Sequence, residues 1–283
     1  MRSTRLAAPF HGVRSTTEPF DTQTRCRAYA SKMRRDAMFS SVTAARLWGI
    51  PLPLWVRDDV VHVATAHGTA RPGGRGVVGT QFMPGSVRSV ELAGLRVLSP
   101  EDTWASLAPV LGLADLVAAG DFLVTSPFSS TAAPPASLAD LARVAARRRL
   151  RGRVLAAQAA RFVRVGPLSR PESLTRMLAV TGGVPEPECN YRVSPLLMFD
   201  LGWPELRFGL DYHGASHRSA RQHAKDIARD DLAREHGWGA MQVGASDLFD
   251  APFDLLARLR SRLIERGAAV RPLVARNVAL AMR

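Results

Sequence analysis

FDLGWPELRFGLDYHGASH (Phe199–His217) decides how the second half of this 283-residue chain is read. Two runs with alternating apolar residues flank a Gly-Trp-Pro-Glu turn at 202–205, the pattern of a β-hairpin. Side chains alternate between the two faces of a strand. Phe208, Leu210 and Tyr212 therefore share one face, and Gly209, Asp211 and His213 share the other. In the preceding strand, Phe199 and Leu201 face one way and Asp200 the other. A tight turn midway between them sets Asp200 and Asp211 roughly opposite each other on one sheet face. Aspartate is among the poorest strand formers, so two of them need a reason. The plain reason is a charge on the wet face of an edge strand, which blocks aggregation. The chemical reason is that two carboxylates forced together share a cation or take a raised pKa, and hard oxygen ligands suit Mg²⁺.

Upstream, Ser169-Arg170-Pro171-Glu172 opens a helix that runs to about Thr181, with Leu174, Met177, Leu178 and Thr181 at helical spacing and Gly182-Gly183 at its end. Ser169-x-x-Glu172 has the spacing of a capping box. A helix starting beside the sheet could instead aim Glu172 at the carboxylate pair. Strand-like runs lie near 188–193, 196–202 and 206–212, and a helix follows from about Arg218 to Glu235, stopped by Gly237. WGAMQV (238–243) reads as a strand and Pro252 to Arg266 as a closing helix. The order is αβββαβα.

SRPESLTRMLAVTGGVPEPE, FDLGWPELRFGLDYHGASH and DIARDDLAREHGWGAMQV together resemble the very-short-patch-repair (Vsr-like) endonuclease domains of the PD-(D/E)XK superfamily, over about Leu168–Glu265. The matching positions are Asp200, Asp211, Gly214, His217, Asp226, Arg229, Gly237 and Trp238. The resemblance implies an α/β (α+β) class with an αβββαβ restriction-endonuclease-like core, and DNA as the substrate. It also implies Mg²⁺ or Mn²⁺ held by Asp200, Asp211 and Glu172, with His213 and His217 placing or deprotonating the attacking water. Family members usually carry Glu where this chain has Asp211. They often have Asp where it has His213, and the broader superfamily uses Lys there. A histidine near its ordinary pKa of ~6.5 is mostly neutral at pH 7 and makes a poorer electrostatic clamp than lysine. Weak or degenerate cutting is the corresponding expectation. Asp226 and Arg229, three apart on one helix face, read as a surface ion pair, and His223 as solvent-facing. The spacings of His213, His217 and His223 match no common zinc pattern.

The N-terminal half, 1–124, reads as mixed α/β. Helices are expected over 21–33 and within 39–53, strands at 60–65, 77–82 and 95–99, and a helix capped by Ser99 that turns Trp104, Leu107 and Ala108 inward. FSSVTAARLWGIPLP, VHVAT and LRVLSPEDTWASLA are similar to AbiEi-like antitoxin domains of type IV toxin–antitoxin systems. That resemblance implies a second reading: a non-catalytic DNA-binding, antitoxin-like transcriptional regulator with a toxin partner. Residues 125–167, beginning TSPFSSTAAPPAS, read as a linker and an arginine-rich helical segment, leaving 168–283 for the nuclease-like domain.

The net charge of +13 favours a polyanionic partner, although an arginine-rich, GC-rich genome would also produce it. Clustering is more informative. Leu141 to Pro171 holds nine arginines and no acid, and such a run repels itself unless something anionic is near. Arg147, Arg148, Arg149, Arg151 and Arg153 are the expected nucleic-acid contacts. With 46% hydrophobic residues, 22% charged, no apolar run of membrane length, no signal-peptide pattern and only Cys26 and Cys189, the sequence reads as a cytoplasmic globular protein.

Overall fold

Caps and glycines place most element boundaries. The computed structural model describes residues 7–15, 21–126, 132–214 and 220–282, the side chains of 220–227 excepted. In chain order the elements are α1 (Thr22–Ala30), β1 (Met38–Phe39), α2 (Ser41–Leu47), β2 (Val61–Ala66), β3 (Val77–Phe82), β4 (Ser89–Leu92), β5 (Leu95–Leu98), α3 (Pro100–Leu107), α4 (Leu113–Val124), α5 (Leu138–Ala145) and α6 (Arg153–Phe162). They continue with α7 (Arg170–Thr181), β6 (Glu188–Ser194), β7 (Leu197–Trp203), β8 (Phe208–His213), α8 (Ala220–Glu235), β9 (Gly239–Gly244), α9 (Ala245–Phe249), α10 (Pro252–Ile264) and α11 (Ala275–Ala281). The fold is mixed α and β, in the expected class. Among the described residues, no helix is long and apolar enough to cross a membrane.

Two compact units are present, each built from two pieces of chain. Met1–Leu111 joins Pro134–Ala160, and Gly112–Ala133 joins Arg161–Arg283. The first unit holds a five-stranded sheet in the order β3-β2-β1-β5-β4. β2 runs parallel to β3 and β1 to β5, while β1–β2 and β4–β5 are antiparallel. Phe39, Val61, Val63 and Val97 pack from the sheet against Cys26 and Tyr29 of α1. Asp21 caps that helix, its carboxylate accepting from the Thr24 amide at 2.7 Å. Trp104, Leu107 and Ala108 are buried, as the helical spacing required. Glu101 and Asp102 go in with them, because Arg88 reaches Glu101 at 3.0 Å and Asp102 pairs with Arg147.

The second unit holds a four-stranded sheet in the order β6-β7-β8-β9. β6, β7 and β8 are antiparallel neighbours, and β9, reached through α8, lies parallel to β8. α7 and α8 both pack on this sheet, and α4 packs on α7. The composition break lies at 125, yet residues 112–133 go with the second unit. An ion pair explains the attachment. Arg176 of α7 is fully buried, and its Nη2 donates to Asp121 Oδ2 of α4 at 3.0 Å and to the Phe162 carbonyl at 2.7 Å. Burial pushes the Asp121 carboxyl up, and the adjoining guanidinium opposes it.

Candidate functional site

The hairpin that opened the sequence is β7 and β8. Its ladder pairs Leu201 with Leu210, Gly202 with Gly209 and Trp203 with Phe208. The turn lies later than the 202–205 expected. Trp203 is still strand, Pro204–Leu206 form one 3₁₀ turn, and Arg207 adopts the left-handed conformation at φ 45°. Carried one step further, the register brings Asp200 level with Asp211.

Backbone pairing stops at that step, and the two carboxylates replace it. Asp211 Oδ1 accepts from the Asp200 amide at 3.1 Å, and Asp200 Oδ2 accepts from the Tyr212 amide at 2.7 Å. On the other side, the β6–β7 ladder passes from Cys189–Leu201 to Tyr191–Phe199, with Asn190 at φ 51° between them. Asp200 thus has no partner in either neighbouring ladder. The interruption overturns the simple alternation expected for β7. A Cβ on Gly209 would come within 2.1 Å of the Phe199 ring, so Phe199 lies on the Gly209 side and not with Leu201 and Leu210. There it stacks on Trp238 at 5.6 Å, over Ala233 of α8. Two aspartates occupy strands here because their side chains supply the acceptors that a broken ladder lacks.

Arg229 of α8 completes the arrangement. Its Nη2 lies 2.6 Å from Asp211 Oδ1 and also donates to the Met198 carbonyl, and the guanidinium sits 5.7 Å from the centre of the Phe199 ring. Arg229 thus bonds across to the sheet. The Asp226 side chain and that of His223 lie outside the described ones. Burial pushes Asp211 up to about 7, against the pull of Arg229 and with a further push from Asp200. Asp200 is also raised by burial, resisted by the Tyr212 amide and by Arg229.

Glu172 serves the start of its own helix. Oε1 accepts from Ser169 Oγ at 2.7 Å, Oε2 accepts from the Leu168 amide at 2.9 Å, and Ser169 Oγ accepts from the Glu172 amide at 3.4 Å. The carboxylate reaches one residue beyond the cap amide that a capping box would use. Burial raises its pKa, Ser169 and Leu168 oppose the shift, and Asp200 adds to it. The acid of α7 and the acid of β7 therefore feel each other. His213 ends β8, and among the described residues its buried Nε2 has no hydrogen-bond partner. His217 lies outside the described residues.

A divalent cation fits part of this set. Asp200 Oδ1 and Asp211 Oδ2 carry no protein donor among the described residues, and both are hard ligands of the kind Mg²⁺ and Mn²⁺ take. Both oxygens of Glu172 are committed to its helix. Among the described residues no group of three or more His, Cys, Asp or Glu side chains is arranged to hold a metal. The donors present suit a two-carboxylate site.

The arginine-rich stretch divides into two sets. Arg143 pairs with Asp140 at 2.7 Å, Arg164 with Glu186 at 2.9 Å and Arg170 with Asp115 at 2.7 Å, while Arg147 is bound to the buried Asp102. These acids lie outside the run, so the sequence window alone overstated the uncompensated charge. Arg148, Arg149, Arg151, Arg153 and Arg161 are exposed and have no ion pair among the described residues. Comparison with models of protein families, with curated proteins and with solved structures finds no match to this chain.

Proposed function

We propose that the second unit is a Vsr-like, PD-(D/E)XK-type nuclease domain that hydrolyses phosphodiester bonds of DNA with Mg²⁺ or Mn²⁺. The observation that carries this reading is the pair Asp200 and Asp211, level across a hairpin and both raised by burial. Such a pair holds negative charge in a place where it is costly, and a divalent ion offsets it. Asp200 and Asp211 would hold the ion through their free oxygens. When bound, it lowers the pKa of a coordinated water and neutralises charge growing on the scissile phosphate. Arg229 fixes the Asp211 carboxylate in the splayed end of the hairpin, and its charge draws a phosphate towards the site. His213, at the strand end and with a ring nitrogen unpartnered among the described residues, holds the attacking water or accepts its proton. The reading places the protein in the cytoplasm, where Cys26 and Cys189 stay as the free thiols they are here.

The test is incubation of the full chain with supercoiled plasmid and Mg²⁺ or Mn²⁺. Nicked or linear product is expected, and Asp200→Asn or Asp211→Asn should reduce it about a hundredfold or more. Circular dichroism confirms that each variant is folded. Cutting that survives both substitutions overturns the proposal.

The exposed arginines favour a second reading: a DNA-binding, antitoxin-like regulator that does not cut, with a toxin as its protein partner. Arg148, Arg149, Arg151 and Arg153 have no acid to answer them in the described chain. Salt-sensitive, metal-independent DNA binding without cleavage would select this reading.

A further inference from the structure

The first unit contains a cavity of ≈ 240 Å³, bounded by the end of β3, the chain leading into β4, α3 and the connection between α5 and α6. Its wall is mainly apolar, with Phe82, Met83, Val87, Ala105 and Leu150. Asp102 and Arg147 also line it, but they are spent on each other. Asp102 Oδ2 further accepts from the Arg88 amide at 2.7 Å and from Ser99 Oγ at 3.1 Å, so this buried carboxylate is satisfied by the protein. Arg149 and Arg151 remain. Both line the cavity, both are exposed, and neither has an ion pair among the described residues.

The connection that carries them is held in place. Gly152 has φ 72°, and a Cβ there would come within 2.9 Å of the Ala108 backbone. Only glycine permits both the conformation and the close approach to the end of α3. The arginines therefore stand on a packed turn.

An apolar wall with two uncompensated guanidiniums at one cavity selects a ligand with an apolar body and about two negative charges. A phosphate monoester carries about −1.5 to −2 near neutral pH and matches a guanidinium pair in geometry as well as in charge. Phe82 and Met83 offer soft, flat contact to a ring. We propose that this cavity binds a phosphate monoester borne on a flat ring, a nucleoside 5′-monophosphate, either free or as the 5′-phosphorylated end of a nucleic-acid strand. The proposal does not depend on the carboxylate pair of the second unit.

The experiment titrates the full chain with adenosine 5′-monophosphate, adenosine, and 5′-phosphorylated and 5′-hydroxyl thymidine decamers, in about 150 mM salt to suppress diffuse electrostatics. The phosphate-bearing probe of at least one pair should bind about tenfold or more tightly than its phosphate-free counterpart. The preference should vanish in Arg149→Ala/Arg151→Ala. It should also vanish in Met83→Glu, which keeps both arginines and sets a negative charge on the wall. Arg75→Ala, at an exposed arginine outside the cavity, should leave it intact. Binding of the mononucleotide identifies a free ligand, and preference seen only with the decamers identifies a strand end. Equal binding with and without the 5′-phosphate overturns the proposal, as does a preference that persists in Arg149→Ala/Arg151→Ala. Either result would reduce the arginines to a diffuse phosphate-attracting surface.

Discussion

Asp211 sets the pH response of the second unit. Burial pushes its carboxyl from 3.8 up to about 7 in the folded chain, and Asp200 and Glu172 shift in the same direction. An acid raised on folding binds more protons in the native state than in the unfolded state between those two values. Its stabilising contribution is therefore complete at low pH and lost as pH rises from about 4 to 7, by at most ~1.4 kcal/mol per pH unit for one proton. Urea denaturation at a series of pH values should show stability falling across that window, and Asp211→Asn should flatten the slope. An unchanged slope would mean that Asp211 titrates normally in the folded protein. The aspartate pair was legible in the sequence because strand register is a period-2 argument, and that argument needs only the turn. The partner of Arg229 was not. Its bond to Asp211, 18 residues distant, runs through a contact that only tertiary packing creates.

At the scale of the element, the hairpin depends on a missing side chain. Gly209 lies under the Phe199 ring, and a methyl group there would meet ring carbons at 2.1–2.4 Å. Gly209→Ala should lower unfolding free energy by about 1–3 kcal/mol through overpacking. Much of that loss should disappear when Phe199→Leu is added, measured as a double-mutant cycle. Additive losses would show that the ring does not set the cost. Caps and glycine stops made α3, α7 and α8 readable, since each signal is local. The break at Asp200 was hidden because nothing in an alternating pattern reveals that carboxylates will substitute for carbonyls. β1, two residues long, is too short to show any period. α4 is buried over nearly its whole circumference, so it has no polar stripe to mark it as a helix.

For the whole molecule, the net charge of +13 had two explanations, and the ion pairs separate them in part. Four of the nine arginines between Leu141 and Pro171 are answered by acids from elsewhere in the chain. Those that remain exposed should dominate binding to polyanions. Replacing Arg148 and Arg153 by glutamine should reduce the slope of log K against log salt for duplex DNA by about two, with little dependence on sequence. An unaltered slope would place the phosphate contacts on another surface.

The way the chain threads between its units also limits how it can be divided. Residues 112–133 belong with Arg161–Arg283, yet residues 134–160 return to the first unit before that second piece begins. A polypeptide starting at Leu168 would keep every strand of the second sheet and lose Asp121. Arg176 would then keep Glu186 at 3.2 Å and lose both Asp121 and the Phe162 carbonyl, its two other partners. Severing the two halves at a compositional seam would amputate part of each.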